Sequence, residues 1–198
     1  LGTLVLKTRG ALAAVLASDE IMAAHRGHWF VRETIGFLRR TLQRLDLCGR
    51  SLFALVDEGS CFAGSLLELA LAADRSYMLT GGEEAPCIAL GPLNFSGLET
   101  ANGRTRLAGR FNDEASAAAR EALAGEPLAA AAALDRGLVT FAPDELDWAD
   151  EIRLAVEERA SLSPDALSGL EANLRFAGGE NVATKIFGRL SAWQNWIF

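Results

Sequence analysis

The stretch Gly59-Ser-Cys-Phe-Ala-Gly64-Ser-Leu-Leu-Glu68-Leu-Ala-Leu-Ala-Ala-Asp74 decides how the rest of the sequence is interpreted. It follows an apolar run from Leu52 to Val56, which is typical of a buried strand. Small residues then lead into a predicted helix that begins near Gly64. The free N–H groups at such a helix start, and the positive end of its dipole, suit an oxyanion. Glu68 lies one turn further in, where a carboxylate is placed for proton transfer.

The same stretch is also compatible with a packed strand, turn and helix that has no chemical role. In the first helical turn, Glu68 would stabilise the helix dipole by roughly 0.3–1 kcal/mol. Among the leucines that surround it in the sequence, burial would instead raise the pKa of Glu68 and suit it to acid–base work. Glu68 is therefore a candidate catalytic residue, and a structural role is the alternative.

Composition limits the classes of protein to which the chain can belong. Its 198 residues fit one domain, or a domain with an appendage, and half of them are hydrophobic. No run approaches the roughly 18 apolar residues that cross a membrane, so we expect no membrane partner. The formal net charge of −7, without clusters of Lys and Arg, predicts no nucleic-acid partner.

Cysteine and histidine content bears on the compartment and on metals. The three cysteines, Cys48, Cys61 and Cys87, are widely spaced and odd in number, which favours a reducing compartment, the cytoplasm. His25 and His28 are the only histidines, and there is no Cys-x-x-Cys, so we expect no metal site. Both histidines are interpreted as bystanders or packing residues.

Both ends of the sequence are unusual. Leu1 begins within a strand-like run, and the last residues, Trp193-Gln-Asn-Trp-Ile-Phe198, are largely aromatic and apolar. Apolar aromatic side chains at a terminus are rarely left in water, so we interpret Trp193 and Trp196 as interface or core anchors. We therefore expect the chain to be an excerpt of a longer polypeptide, the rest of which covers this end.

Strands and helices alternate along the first part of the sequence. A strand at Leu4–Lys7 precedes a predicted loop over Gly10–Ser18, after which Asp19 opens a short helical stretch. Apolar residues from Val31 to Leu45 recur at steps of three and four, which predicts an amphipathic helix. Ala-rich helices are predicted over 113–124 and 128–135, and a last helix runs from about 180 to the end. This order is typical of an α/β fold.

Three stretches in this order resemble the enoyl-CoA hydratase (crotonase) superfamily. Gly64–Asp74 is similar to its glycine turn, Glu-Leu-Ala helix and closing Asp, and Pro86–Gly91 is similar to its Pro-Glu-x-x-x-Gly segment. Ala129–Val139 is similar to the helix-to-strand element that follows. The resemblance implies a crotonase-like spiral of ββα units over residues 1–145 and a helical C-terminal extension over 146–198.

Three further stretches resemble a narrower family, since they are similar to the C-terminal half of the ring-cleaving benzoyl-CoA-dihydrodiol lyases. The likeness lies in Trp29–Ile35, Ser163–Phe176 and Ala183–Phe198. It implies a substrate that is an oxygenated CoA thioester, the dihydrodiol or epoxide of benzoyl-CoA. The resemblance further implies that water opens the ring, giving an open-chain semialdehyde CoA thioester and formate. The resemblance also implies no separate cofactor, an N-terminal crotonase-like segment in the same chain, and a homo-oligomer.

Crotonases hold the thioester oxygen with two backbone N–H groups, and the resemblance places one of them at Gly64 or Ser65. The other would come from the loop after the first strand, where Val15 and Leu16 replace a glycine, so we do not expect a donor there. Ser65 is bulkier than the family's glycine.

The second family acid is replaced by Cys87, which we interpret as a small core residue, like Cys61. We therefore expect this segment to be structural and the N-terminal segment to perform the chemistry. The alternative is a catalytically active enoyl-CoA hydratase-type domain, with Glu68 as its acid–base group.

Overall fold

A three-stranded parallel sheet forms the centre of the fold. The computed structural model describes residues 2–82, 84–111, 120–175 and 180–197, without the side chains of the last two. The strands are β1 (Thr3–Leu6), β2 (Ser51–Val56) and β3 (Arg75–Met78), in the spatial order β1-β2-β3. Every residue of β2 is buried, which explains its unbroken apolar run, because a central parallel strand is covered on both faces.

Helices account for most of the remaining described structure. They are α1 (Leu12–Ala24), α2 (Trp29–Asp46), α3 (Gly64–Leu71), α4 (Arg106–Phe111), α5 (Ala130–Asp135), α6 (Trp148–Ala160), α7 (Pro164–Arg175), α8 (Val182–Lys185) and α9 (Ser191–Ile197). A π-helical stretch, Ile186–Leu190, joins α8 to α9. No helix in the described ranges is long and apolar enough to span a membrane.

The core lies between the sheet and the helices that follow its strands. Leu52, Phe62, Leu67 and Ile88 are fully buried in one cluster. The predicted amphipathic helix is confirmed as α2, whose Ile35 and other inward-facing residues pack on a second cluster. Charged residues such as Arg39 and Arg40 are exposed on α2, but so are the aromatic side chains of Trp29, Phe30 and Phe37.

The predicted loop over Gly10–Ser18 is wrong. Residues Leu12–Ala24 form one continuous helix, α1, and Asp19 lies in its middle instead of opening it. Small residues suggested a loop, but alanine and leucine are also the strongest helix formers. Because α1 packs against α3, Asp19 is carried into the interior, where it is completely buried.

Two Ala-rich helices were predicted in the second half of the sequence. Much of the first, over 113–124, lies outside the described residues, and its described end is a single 3-10 turn at Glu121–Leu123. The second is present but shorter, as α5. Leu128 instead pairs with Ile88 in an isolated antiparallel bridge, and Ala129 is extended, so the helix begins at Ala130.

The helical tail is attached to the sheet by buried charges. Glu171 and Arg175 of α7 reach the beginning of β2 and the residue before β3. Ser51 Oγ donates to Glu171 Oε1 at 2.5 Å, and Arg175 Nη2 lies 3.2 Å from a carboxylate oxygen of Asp74. Burial raises the pKa of Glu171. The predicted anchor Trp193 is half-buried beside Gly169, whereas Phe198 and the side chain of Trp196 lie outside the described residues.

Candidate functional site

In the first turn of α3, one backbone N–H group donates a hydrogen bond to a buried carboxylate. Ser65 N donates to Asp19 Oδ2 at 2.5 Å. The neighbouring N–H groups are already used, because Gly64 N donates to the carbonyl of Ala89 and Leu66 N donates to the carbonyl of Ala63. The place in front of Ser65 N, where an oxyanion would bind, is therefore occupied by a side chain of the protein itself.

Gly64 makes this contact possible. Its φ is +45°, in the left-handed region that side chains disfavour. A Cβ at this position would lie 2.0 Å from Asp19 Oδ2, far inside van der Waals contact. A second glycine, Gly91, lies against the same pair, where a Cβ would be 3.0 Å from the Cα of Gly64. Glycine is therefore needed here to admit the aspartate.

Burial raises the pKa of Asp19 above its ordinary value, although the hydrogen bond from Ser65 N lowers it. The second carboxylate oxygen, Oδ1, is buried and has no hydrogen-bond partner among the described residues. Desolvation disfavours the charged form, whereas the helix start favours it.

The second family donor has no counterpart in the expected place. Val15 and Leu16, predicted to lie in a loop, are inside α1. Backbone N–H groups within a helix point along its axis to earlier carbonyls, so they do not face a ligand. The side chain of Leu16 instead extends toward Gly91 and fills space beside the start of α3.

Glu68 lies in a closed network of polar side chains. It is 1% exposed, its Oε1 accepts from Asn94 Nδ2 at 2.6 Å, and its Oε2 accepts from Arg106 Nη1 at 2.8 Å. Burial raises the pKa of Glu68, against the opposing effect of Arg106 and Asn94. As the fifth residue of α3 it is beyond the first turn, so the interpretation as a first-turn dipole partner is wrong.

Arg106 connects this carboxylate to α2. Its Nη2 forms an ion pair with Asp46 Oδ1 at 3.0 Å and donates to the carbonyl of Leu42 at 3.1 Å. Nη1 also reaches the carbonyl of Leu98 at 3.3 Å. The Arg106 side chain is 4% exposed and pairs with two carboxylates, those of Glu68 and Asp46, inside the protein.

Asn94 links three segments through one side-chain amide. Gly91 N donates to its Oδ1 at 2.8 Å, while its Nδ2 donates to the Gly64 carbonyl at 2.9 Å and to Glu68. Sequence reasoning missed both Asn94 and Arg106. A buried glutamate is stable only when a cation or a hydrogen-bond donor contacts it, so the predicted burial of Glu68 implies that such partners exist. The spacing of residues in the sequence does not reveal which residues they are.

The remaining candidates are separate from this network. Cys87, which stands where the family has its second acid, is partly buried, and Cys61 is buried with its N donating to Thr8 Oγ1 at 3.0 Å. His25 and His28 are exposed at helix ends. In the part of the chain that the structure describes, no cluster of three His, Cys, Asp or Glu residues could hold a metal.

A cleft of about 220 Å³ lies at the other end of α3. Leu71, Asp74, Arg106 and Arg175 line it, among other residues. Arg106 and Arg175 already pair with carboxylates, those of Glu68 and Asp74. The C-terminal end of α3 presents carbonyl oxygens to this cleft, whereas Arg104 and Arg110 also line it and the first residue of α4, Arg106, borders it.

Solved structures of enoyl-CoA hydratases and isomerases share this arrangement of strands and helices. The Marinobacter aquaeolei protein superposes on all of this chain and on 74% of its own, with a TM-score of 0.70 and 17% identity. The Cupriavidus metallidurans protein gives 0.69 over all of this chain and 71% of its own, with 20% identity. The chain has the enoyl-CoA hydratase fold. The predicted crotonase-like α/β class is thus confirmed.

Comparison of sequences points to a narrower likeness within this fold. The chain is 57% identical over 194 residues to benzoyl-CoA-dihydrodiol lyase of Aromatoleum evansii, which covers 98% of the chain. The match covers 35% of that lyase, so the chain spans about a third of the length of this curated relative. The predicted resemblance is confirmed by this identity. No family model matches the chain.

Proposed function

We propose that this chain is a segment of a ring-cleaving lyase that acts on the oxygenated dihydrodiol or epoxide form of benzoyl-CoA in aerobic benzoate degradation. The reaction uses water to open the ring and yields an open-chain semialdehyde CoA thioester and formate. The observation that supports it is the 57% identity over nearly the whole chain. The enoyl-CoA hydratase fold alone would not identify the substrate.

Within that protein, the role proposed for this segment is structural. Ring opening needs a polarised thioester and a free acid–base group. In the described structure the N–H of Ser65 is bound by Asp19, and both oxygens of Glu68 are bound by Asn94 and Arg106. These contacts stabilise the packing of α1, α3 and α4, and they leave neither group facing a substrate. The catalytic groups are then supplied by an N-terminal crotonase-like segment of the same protein.

The alternative is a catalytic hydratase-type domain, which the enoyl-CoA hydratase fold favours. Glu68→Gln in the intact protein separates the two. For a structural segment, kcat for ring opening, measured as formate released, falls less than tenfold. An acid–base residue contributes about a hundredfold or more, so a loss of that size in folded protein would contradict the proposal.

The matched control is Glu20→Gln, which makes the same chemical change at an exposed position of α1. Thermal unfolding of each variant reports whether the fold survives, and kcat is referred to the folded fraction. Hydration of crotonyl-CoA is assayed in parallel. Crotonyl-CoA hydration that needs Glu68, without ring opening, would establish the alternative instead.

A further inference from the structure

Asp19 caps α3 from a distant part of the chain. The residue before the helix, Ala63, provides no side-chain cap. The cap comes instead from Asp19, 46 positions earlier in the sequence, at the one first-turn amide that backbone carbonyls leave free. An ordinary cap is local, formed by Ser, Thr, Asp or Asn directly before the helix. The contact therefore has the geometry of a ligand held at a helix start.

The surroundings are shaped for a carboxylate group. Asp19 is completely buried, and its Oδ1 has no partner in the described ranges. The left-handed Gly64 provides the room for Oδ2, and Gly91 lets its own backbone pack against Gly64, where a Cβ would lie 3.0 Å from the Gly64 Cα. A charged oxygen without a partner is costly in the interior, so the group that binds Oδ2 must offset this cost.

We propose that the start of α3 is a binding site for a small carboxylate, which the chain fills with its own Asp19. While Asp19 is present, the site is closed to any other anion. Removal of the side chain leaves a site that takes a free carboxylate of matching size. This inference is independent of the substrate of the intact protein, because it concerns only the contact between α1 and α3.

Two variants empty the site by different amounts. Asp19→Ala removes one carboxylate group, which leaves room for formate, and Asp19→Gly removes one carbon more, which leaves room for acetate. Hydrogen exchange of peptides that cover residues 62–68 of the intact protein reports on Ser65 N. Loss of the charged acceptor is expected to speed exchange of this amide about tenfold or more. Millimolar formate should restore protection in Asp19→Ala, and acetate should do so in Asp19→Gly.

The controls separate binding from general stabilisation. Chloride at equal ionic strength should restore nothing, and peptides of β2 should exchange equally under all conditions. Asp19→Asn keeps an oxygen acceptor for Ser65 N, so it should stay protected and should not respond to formate. If both emptied variants fold, yet neither anion slows exchange, the site does not bind carboxylates and the inference is wrong.

The unaltered protein provides a test that does not depend on variant folding. With Asp19 in place, formate and acetate should leave exchange at residues 62–68 unchanged. Added protection from either anion would show that Asp19 does not fill the site, and would overturn the inference. Unchanged exchange in the unaltered protein, together with size-matched restoration in the two emptied variants, is the result that supports it.

Discussion

Replacing Arg106 with leucine should leave Glu68 as a buried carboxylate without its cation. Arg106 is 4% exposed and contacts both Glu68 and Asp46, so the substitution removes the balancing charge while it fills much of the same volume. Removal of one partner of a buried ion pair typically costs about 3–5 kcal/mol. Asn94 still donates to Glu68, which keeps the expected loss within this range.

The double variant identifies the cause of the loss. Glu68→Gln replaces the carboxylate with a neutral amide of the same shape. In the Arg106→Leu background it removes the uncompensated charge, so the double variant should be more stable than Arg106→Leu alone. The control is Arg153→Leu, because the side chain of Arg153 is 54% exposed and its ion pairs lie on the surface of α6. Exposed pairs contribute little to stability, so the control should unfold almost like the parent protein.

The loss in Arg106→Leu should also depend on pH. Burial already raises the pKa of Glu68, and the loss of Arg106 raises it further. The folded state then holds its proton more tightly than the unfolded chain does. The deficit is therefore complete above the folded pKa and shrinks as the pH falls toward the ordinary glutamate value of about 4.3. A cavity or packing defect would give a deficit that does not change with pH.

The measurement is the free energy of local opening, obtained from hydrogen exchange of peptides in α3 and α4 of the intact protein at several pH values. Thermal unfolding provides the overall comparison. A loss below about 1 kcal/mol for Arg106→Leu, or a double variant less stable than the single one, would refute the charge-balance argument.

Two further predictions concern other charges. Arg175→Leu should release α7 from the sheet, because Asp74 and Glu171 both lose a buried cation. Hydrogen exchange of residues 164–175 should become faster by a factor that corresponds to about 3–5 kcal/mol. Unchanged exchange of these residues would contradict the prediction. Burial alone would raise the pKa of Asp57, but hydrogen bonds led by that from Arg9 hold it well below its ordinary value. The stability that Asp57 contributes is therefore complete above about pH 3.9 and is lost as the pH falls further. The thermal unfolding midpoint of Asp57→Asn should accordingly fall less than that of the parent protein when the pH is lowered below about 3.9.

The sequence allowed the periodic elements to be predicted and left the pairing of polar groups undetermined. The regular apolar spacing of α2 and the continuous run of β2 are local patterns, and both elements were confirmed. The segment around Asp19 was misassigned because small residues fit a loop and a helix equally well. Composition does not distinguish these until the packing of α1 on α3 is known.

The sequence drew attention to the stretch around Ser65 and Glu68, but it did not reveal the contacts that these residues make. Ser65 and Glu68 could be singled out from the residues around them. Asp19 and Arg106, which bind them, lie 46 and 38 positions away and leave no periodic signal. Only the fold brings these partners together. The sequence alone therefore could not show that Ser65 N and the Glu68 carboxylate are already hydrogen-bonded within the protein.

The attachment of α7 to β2 affects where the chain can be divided. A cut near residue 145, where the sequence predicts that the helical extension begins, would take Arg175 away from Asp74, whose Oδ2 accepts from Leu52 N at 2.5 Å. The severed core would keep a carboxylate at the entrance to its central strand with no cation beside it. An insertion or a fusion joint is better tolerated at an exposed turn such as Gly81-Gly82, because it would leave the ion pairs between α7 and the sheet intact.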